Sequence, residues 1–245
     1  MTPLLLLTGR ALHRSRLDLV FAVVAPVFGL VGMTFLLREV IATGQMSYAQ
    51  YILPAVVVQA MLFGALTTTD RAAWEKASGF GGRLRTLPIS RYTPLTARMS
   101  YCLIRGVFAM VASVLAASFF GFQMTGGYGY DAAFFAMALV LTLALSLGAD
   151  ATGTKAGRTE VASQLLMVPQ LLLVMLSTGL APMEAFPSWL HGFVRYQPVS
   201  QITETMRGFT IGHVDPGNLA TSLAWIVSML VVFGAISVRL QGRTE

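Results

Sequence analysis

Charge is missing from six long stretches of this chain and crowded into the segments between them. Leu19–Leu37, Tyr51–Thr69, Gly106–Thr125, Ala132–Ala149, Val161–Leu180 and Asn218–Val238 carry no Asp, Glu, Lys or Arg. A helix rises ~1.5 Å per residue, so about 20 apolar residues cross the ~30 Å hydrocarbon core of a bilayer. The pattern predicts one all-α membrane domain over 1–245, with six spans at about 19–40, 50–70, 99–124, 131–152, 160–180 and 217–239. Pro26 and Pro54 should kink the first two. Pro169 frees a carbonyl in the fifth, and Gln170 adds a polar side chain at membrane depth; both need partners from other helices or water. The short Val40–Gln50 link makes the first two spans antiparallel neighbours. Arg105 stands near one end of the third span, where snorkelling to the headgroups avoids a cost of ~3 kcal/mol or more at mid-membrane.

Three stretches break the pattern. Met1–Asp18 sets Leu4, Leu7, Ala11 and Leu12 among Arg10, His13, Arg14 and Arg16. It reads as an interfacial basic helix or a basic tail. No signal peptide is expected: Leu4–Leu7 is very short and the arginines follow it. Residues 71–98 are polar, and Arg71, Lys76, Arg83, Arg85, Arg91 and Arg98 are six of the chain's 17 Lys and Arg residues. On pattern alone this is a basic loop, with or without a partner.

Residues 181–215 fit neither a span nor a water-exposed loop. Pro182, Pro187 and Pro198 forbid one continuous helix. Met183, Phe186, Trp189, Leu190, Phe193 and Val194 are too apolar to leave in water. An outer loop with interfacial aromatics is one solution. Two short helices folded back into the outer half of the membrane, begun or broken at Pro187 and Pro198, are the other. Glu204 and Arg207, three apart, would share a helical face.

Composition removes other classes. Hydrophobic residues make up 55% and charged residues 11%, against about 25% charged in a soluble domain; mean hydropathy is +0.68. The net charge of +6 follows topology. With six spans, the N-terminal segment, the 71–98 loop, Arg105, Lys155, Arg158, Arg239 and Arg243 lie on one side and only Arg38, Arg195 and Arg207 on the other. The positive-inside rule then puts both termini in the cytoplasm and leaves no reason to expect nucleic acid. Cys102 is the only cysteine, which excludes an internal disulfide or a cysteine-based metal site. His13, His191 and His213 lack metal-ligand spacing, so no metal is expected. The string Gly148–Lys155 ends in Gly-Thr-Lys where a phosphate loop needs Gly-Lys-Ser/Thr, and a membrane helix precedes it where a strand is needed. No catalytic constellation is present. Thirteen methionines offer soft surfaces for packing, lipid or greasy substrates.

The residues Ser177-Thr178-Gly179-Leu180, Pro182, Phe186-Pro187-x-Trp189, Phe193-Val194-Arg195, Gln197-Pro198-Val199-Ser200 and Met206-Arg207-Gly208 resemble the last third of ABC-2-type permeases, most closely the daunorubicin-resistance-like branch. Glu75, Lys76, Gly79, Arg83-Leu84-Arg85, Leu87 and Arg98 resemble the family's coupling loop, and Ala149-Asp150…Gly153-Thr154 its turn between the fourth and fifth helices. The resemblance implies the membrane subunit of an ABC exporter, with an N-terminal interfacial helix and a re-entrant helical pair before the last span. Trp74, Glu75, Lys76, Gly79, Arg83, Leu84, Arg85 and Leu87 would meet the ATPase. Phe186, Pro187, Trp189, Phe193, Arg195, Gln197, Pro198 and Arg207 would form an outer gate. ATP and Mg would be bound by a separate ATPase in two copies, and this chain would hold no cofactor. A second permease, identical or a sister chain, and membrane lipids complete the partners. The substrate would be an amphipathic drug or lipid moved out across the plasma membrane. A polysaccharide or lipid-linked glycan, or an intramembrane enzyme, are the alternatives.

Overall fold

The computed structural model describes residues 8–9, 15–38, 46–79, 90, 92–156 and 159–242. Within them the chain is helical: α1 (Arg16–Leu37), α2 (Tyr48–Ala77), α3 (Thr93–Ser118), α4 (Tyr128–Ala156), α5 (Thr159–Met175), 3-10 turns at Met183–Ala185 and Ser188–Leu190, α6 (His191–Tyr196), α7 (Pro198–Ile211) and α8 (Pro216–Gly242). Five of these, α1, α2, α3, α4 and α8, are long and apolar enough to cross a membrane. The helix α5 is apolar but has 17 residues.

The helix α2 is the axis of the bundle and touches α1, α3, α4, α5 and α7. Ile52, Leu53, Val57 and Val58 of α2 pack with Leu30, Met110, Phe134, Ile202, Met206 and Ile226 in one core. The outer helices are different. On α1, only Ala22, Pro26, Leu30 and Thr34 are buried, a stripe at four-residue spacing that puts them on one face. Phe21, Val24, Phe28 and Phe35 point away from the core. A helix apolar on both its inward and outward faces belongs in lipid or against another membrane chain.

Local chemistry sets the ends. Ser47 is extended and its hydroxyl accepts from Gln50 N–H at 3.2 Å, capping α2. Gly79, with φ of +66°, ends it, a left-handed conformation that costs glycine least. The helix α3 starts with Pro94 in its first turn, where a missing N–H is harmless. It stops at Ser118, before Gly121 at φ +84°. It therefore begins and ends about six residues earlier than expected, and Arg105 lies well inside it.

The fifth helix also ends early, at Met175, although its uncharged run continues to Leu180. Residues of α7 take up the backbone groups released there. Ser200 Oγ accepts from Thr178 N–H at 3.1 Å, and the Gln197 side-chain amide donates to the Leu176 carbonyl. Gly179 packs so closely that a Cβ there would stand 2.9 Å from Ala55 Cβ. The same helix α7 ends at Gly212 (φ +74°), with His213 N–H returning to Gly208 O at 3.0 Å. Thr125 N–H donates to Thr210 O at 3.0 Å, joining the α3–α4 link to the end of α7.

Candidate functional site

Two polar clusters sit at opposite ends of α2. At the Ala77 end, Arg98 Nη1 donates to Glu75 Oε2 at 2.7 Å, and its Nε lies 2.7 Å from Asp150 Oδ1. The Arg98 side chain is 13% exposed and Asp150 only 1%. Ser237 of α8 donates to Leu147 O at 3.1 Å and lies 3.4 Å from Asp150 Oδ2. Lys76 Nζ donates to Thr154 O at 2.7 Å. Glu75 is near the end of α2 and Arg98 near the start of α3, so the two stems of the basic loop are tied to each other and to α4 and α8. Breaking such a pair leaves an uncompensated buried charge and costs ~3–5 kcal/mol.

The sequence-predicted coupling residues fall on both sides of the described boundary. Trp74, Glu75 and Lys76 belong to the last turns of α2, and Gly79 follows its cap. Trp74 is exposed and Glu75 is drawn inward to Arg98. Arg83, Leu84, Arg85 and Leu87 lie outside the described residues. Much of the expected loop is helix: α2 runs on through Ala77, and Arg98 is already in α3.

Two further expectations are corrected. Arg105 does not reach out to headgroups. It is 8% exposed, and its Nε donates to Asp18 Oδ1 at 3.2 Å. Tyr101 donates to the other oxygen of Asp18 at 2.6 Å. The guanidinium of Arg71 covers the Tyr101 ring at 4.1 Å and donates to Ser15 Oγ. A half-buried counter-ion on α1 is what lets Arg105 stay inside the bundle. Asp150, expected in a turn, lies within α4, which runs on past it to Ala156 with Gly153 packed against α2, and Arg98 neutralises its charge.

At the other end of α2, Arg207 of α7 makes most of its bonds to backbone oxygens. Its Nε and Nη2 donate to Tyr51 O, each at 3.2 Å, and Nη2 to Thr178 O at 3.4 Å. Its Nη1 meets Glu204 at 2.8 Å, on the shared helical face expected from the sequence. The guanidinium lies 3.9 Å from the centre of the Tyr51 ring, whose hydroxyl donates to Thr178 O at 2.9 Å. One arginine thus joins α2, α7 and the turn after α5. Nearby, the Gln50 side-chain amide pairs with the backbone of Gln123 in both directions, at 2.9 and 3.1 Å.

The residues expected to form a gate divide into two groups. Gln197 and Arg207 are buried at 4% and 7%, and Pro198 opens α7. Trp189 is 79% and Phe193 49% exposed; Pro187 and Arg195 are also exposed and Phe186 is half-buried. The surface turns carry the aromatics, while α7 packs inside against α2, α4 and α8.

Residues 26–239 match the family model described as ABC-2 family transporter protein. The chain belongs to the ABC-2 transporter family. It is similar to the doxorubicin resistance ABC transporter permease protein DrrB of Mycobacterium tuberculosis, at 32% identity over 194 residues, 77% of this chain and 67% of that one. It is also similar to the probable doxorubicin resistance permease DrrC of that organism, at 25% identity over 93% of this chain and 84% of that one. The daunorubicin resistance permease DrrB1 of Streptomyces coeruleorubidus is 24% identical over 91% of this chain and 79% of its own length. This ABC-2 chain is a multi-pass, all-α membrane transport protein.

In this ABC-2 chain, sequence reasoning passed over three partnerships: Asp150 with Arg98, Asp18 with Arg105, and Arg207 with the carbonyl of Tyr51. The available signal was the cost of isolation. A lone Asp or Arg at the edge of an apolar helix calls for an opposite charge or a bare carbonyl elsewhere in the fold.

Proposed function

We propose that this chain is the permease subunit of an ATP-driven exporter that moves amphipathic drugs or lipids out across the plasma membrane. The names of its relatives support a drug-like cargo. An ABC ATPase supplies the energy, binding ATP and Mg outside this chain. Two ATPase copies and a second permease, identical or a sister chain, complete the assembly. Both termini face the cytoplasm, in line with the distribution of Lys and Arg.

The observation that carries the reading is the Glu75–Arg98–Asp150 cluster beneath the basic loop. A soluble motor pressing on that loop needs stems that do not slide against each other. Here both stems are ion-paired, and the pairing reaches α4 and α8. At the far end of α2, Arg207 holds the 181–215 segment, which we read as re-entrant and as the outer gate of the substrate path.

The test changes the loop and leaves the cluster intact. Arg83→Glu with Arg85→Glu should lower ATP-dependent efflux of an amphipathic fluorescent drug at least tenfold in vesicles carrying the permease and its ATPase. Membrane insertion should be unchanged. Wild-type efflux with the ATPase still co-purifying would refute the coupling assignment.

A further inference from the structure

A narrow cleft opens between α1 and α2, and its lining holds a buried cation with unused donors. Phe21, Pro26, Val56 and Phe63 give it apolar walls; Gln59 and Arg105 are its polar residues. Arg105 is 8% exposed, and only its Nε has a hydrogen-bond partner, Asp18, among the described residues. Arg105 lines the cleft, and its two terminal nitrogens have no acceptor among the described residues. The guanidinium lies against Gly64, where any Cβ would overlap Nη1. Guanidinium donors that reach an apolar cleft favour an incoming oxyanion, which makes charge-assisted hydrogen bonds to them.

The size and surroundings of the cleft narrow the ligand class. Along α1 the lining runs from Phe21 to Gly29, a rise of about 12 Å, less than half of the ~30 Å hydrocarbon thickness. Arg71, stacked on Tyr101 beside Asp18, adds a second cation at that end. Phe21 and Phe63 of the lining are exposed, so the cleft is open to lipid from the side.

We infer that this cleft binds one anionic phospholipid of the leaflet next to the Arg16 end of α1, with its phosphate on Arg105 and an acyl chain along α1. The site is distinct from the loop cluster and from the Arg207 end of α2. In the orientation proposed above, that leaflet is the cytoplasmic one.

Native mass spectrometry of the full chain in a neutral detergent tests it, with dioleoylphosphatidylglycerol and dioleoylphosphatidylcholine supplied in equal amounts. One phosphatidylglycerol per chain should survive activation that strips phosphatidylcholine. Gly29→Leu places a side chain in open space on the cleft wall and does not touch the Asp18 pair. It should lower that retention at least fivefold with helical content unchanged by circular dichroism. Arg105→Gln should do the same, and Arg105→Lys should keep part of the preference. Equal retention of the two lipids by the wild type overturns the proposal. So does undiminished phosphatidylglycerol retention in Gly29→Leu, or displacement of the lipid by inorganic phosphate at matched concentration.

Discussion

Removing the Asp150 carboxylate isolates what the cluster at the loop stems contributes. Asp150→Ala leaves Arg98 inside the bundle with Glu75 as its remaining counter-ion, at 2.7 Å. Loss of one partner from a buried pair costs ~3–5 kcal/mol, and the surviving Glu75 contact places the expected loss near the low end, about 3 kcal/mol. Both charges leave water in the folded protein, so replacing the pair by apolar groups of similar volume costs far less. Glu75 then loses its cation but, with its side chain 19% exposed, stays in contact with water, so Arg98→Met with Asp150→Leu should stay within ~2 kcal/mol of wild type. The assay is reversible unfolding in mixed micelles titrated with sodium dodecyl sulfate, followed by circular dichroism, on wild type, both single variants and the double variant. The cycle should show strong non-additivity, with the double variant more stable than either single one. If Asp150→Ala lies within ~1 kcal/mol of wild type, or if the two single losses simply add, the reasoning about a coupled buried pair fails. The double variant also separates rigidity from folding: it should insert normally yet lose most ATP-dependent efflux, since apolar side chains restore packing but not a directional tie.

Arg207→Met removes the guanidinium that bridges Tyr51 O, Thr178 O and Glu204 and should cost ~2–4 kcal/mol in the same titration. Trp189→Ala, at a site 79% exposed, should change stability by less than ~0.5 kcal/mol while lowering efflux several-fold; unchanged efflux would sink the gate. For orientation, cysteines at Thr2 and Gly242 should stay unreactive to an impermeant maleimide added to intact cells, whereas one at Gly127 should react. Labelling of both termini from outside would overturn the proposed topology.

The sequence made the apolar helices legible because the ban on charge in lipid acts on every residue of a span. Their ends were less legible. The uncharged run of the fifth helix continues to Leu180, yet the helix ends at Met175 because side chains of α7, far along the chain, satisfy the backbone there. The interior place of α7 was hidden for the same reason. Gln197, Ser200, Gln201, Thr203 and Arg207 read as polar, and nothing local says that their partners are inside the protein. In the candidate site, Glu75 and Lys76 were legible through their motif. Asp150 was not, because in sequence it sits where a turn would normally put an acid in water.

The close approach of α2 and α4 at Gly153 has a mechanical consequence. A Cβ at Gly153 would stand 2.9 Å from Ala72 Cβ and also meet the Thr69 backbone, so the two helices bear on each other there, near one end of α2. From Thr69 to Ala77 the helix extends about 12 Å, and from Thr69 back to Tyr51 about 27 Å. Gly153 is thus a fulcrum with unequal arms. A tilt of α2 about it moves the Tyr51–Arg207 end roughly twice as far as the end beside the basic loop, in the opposite direction.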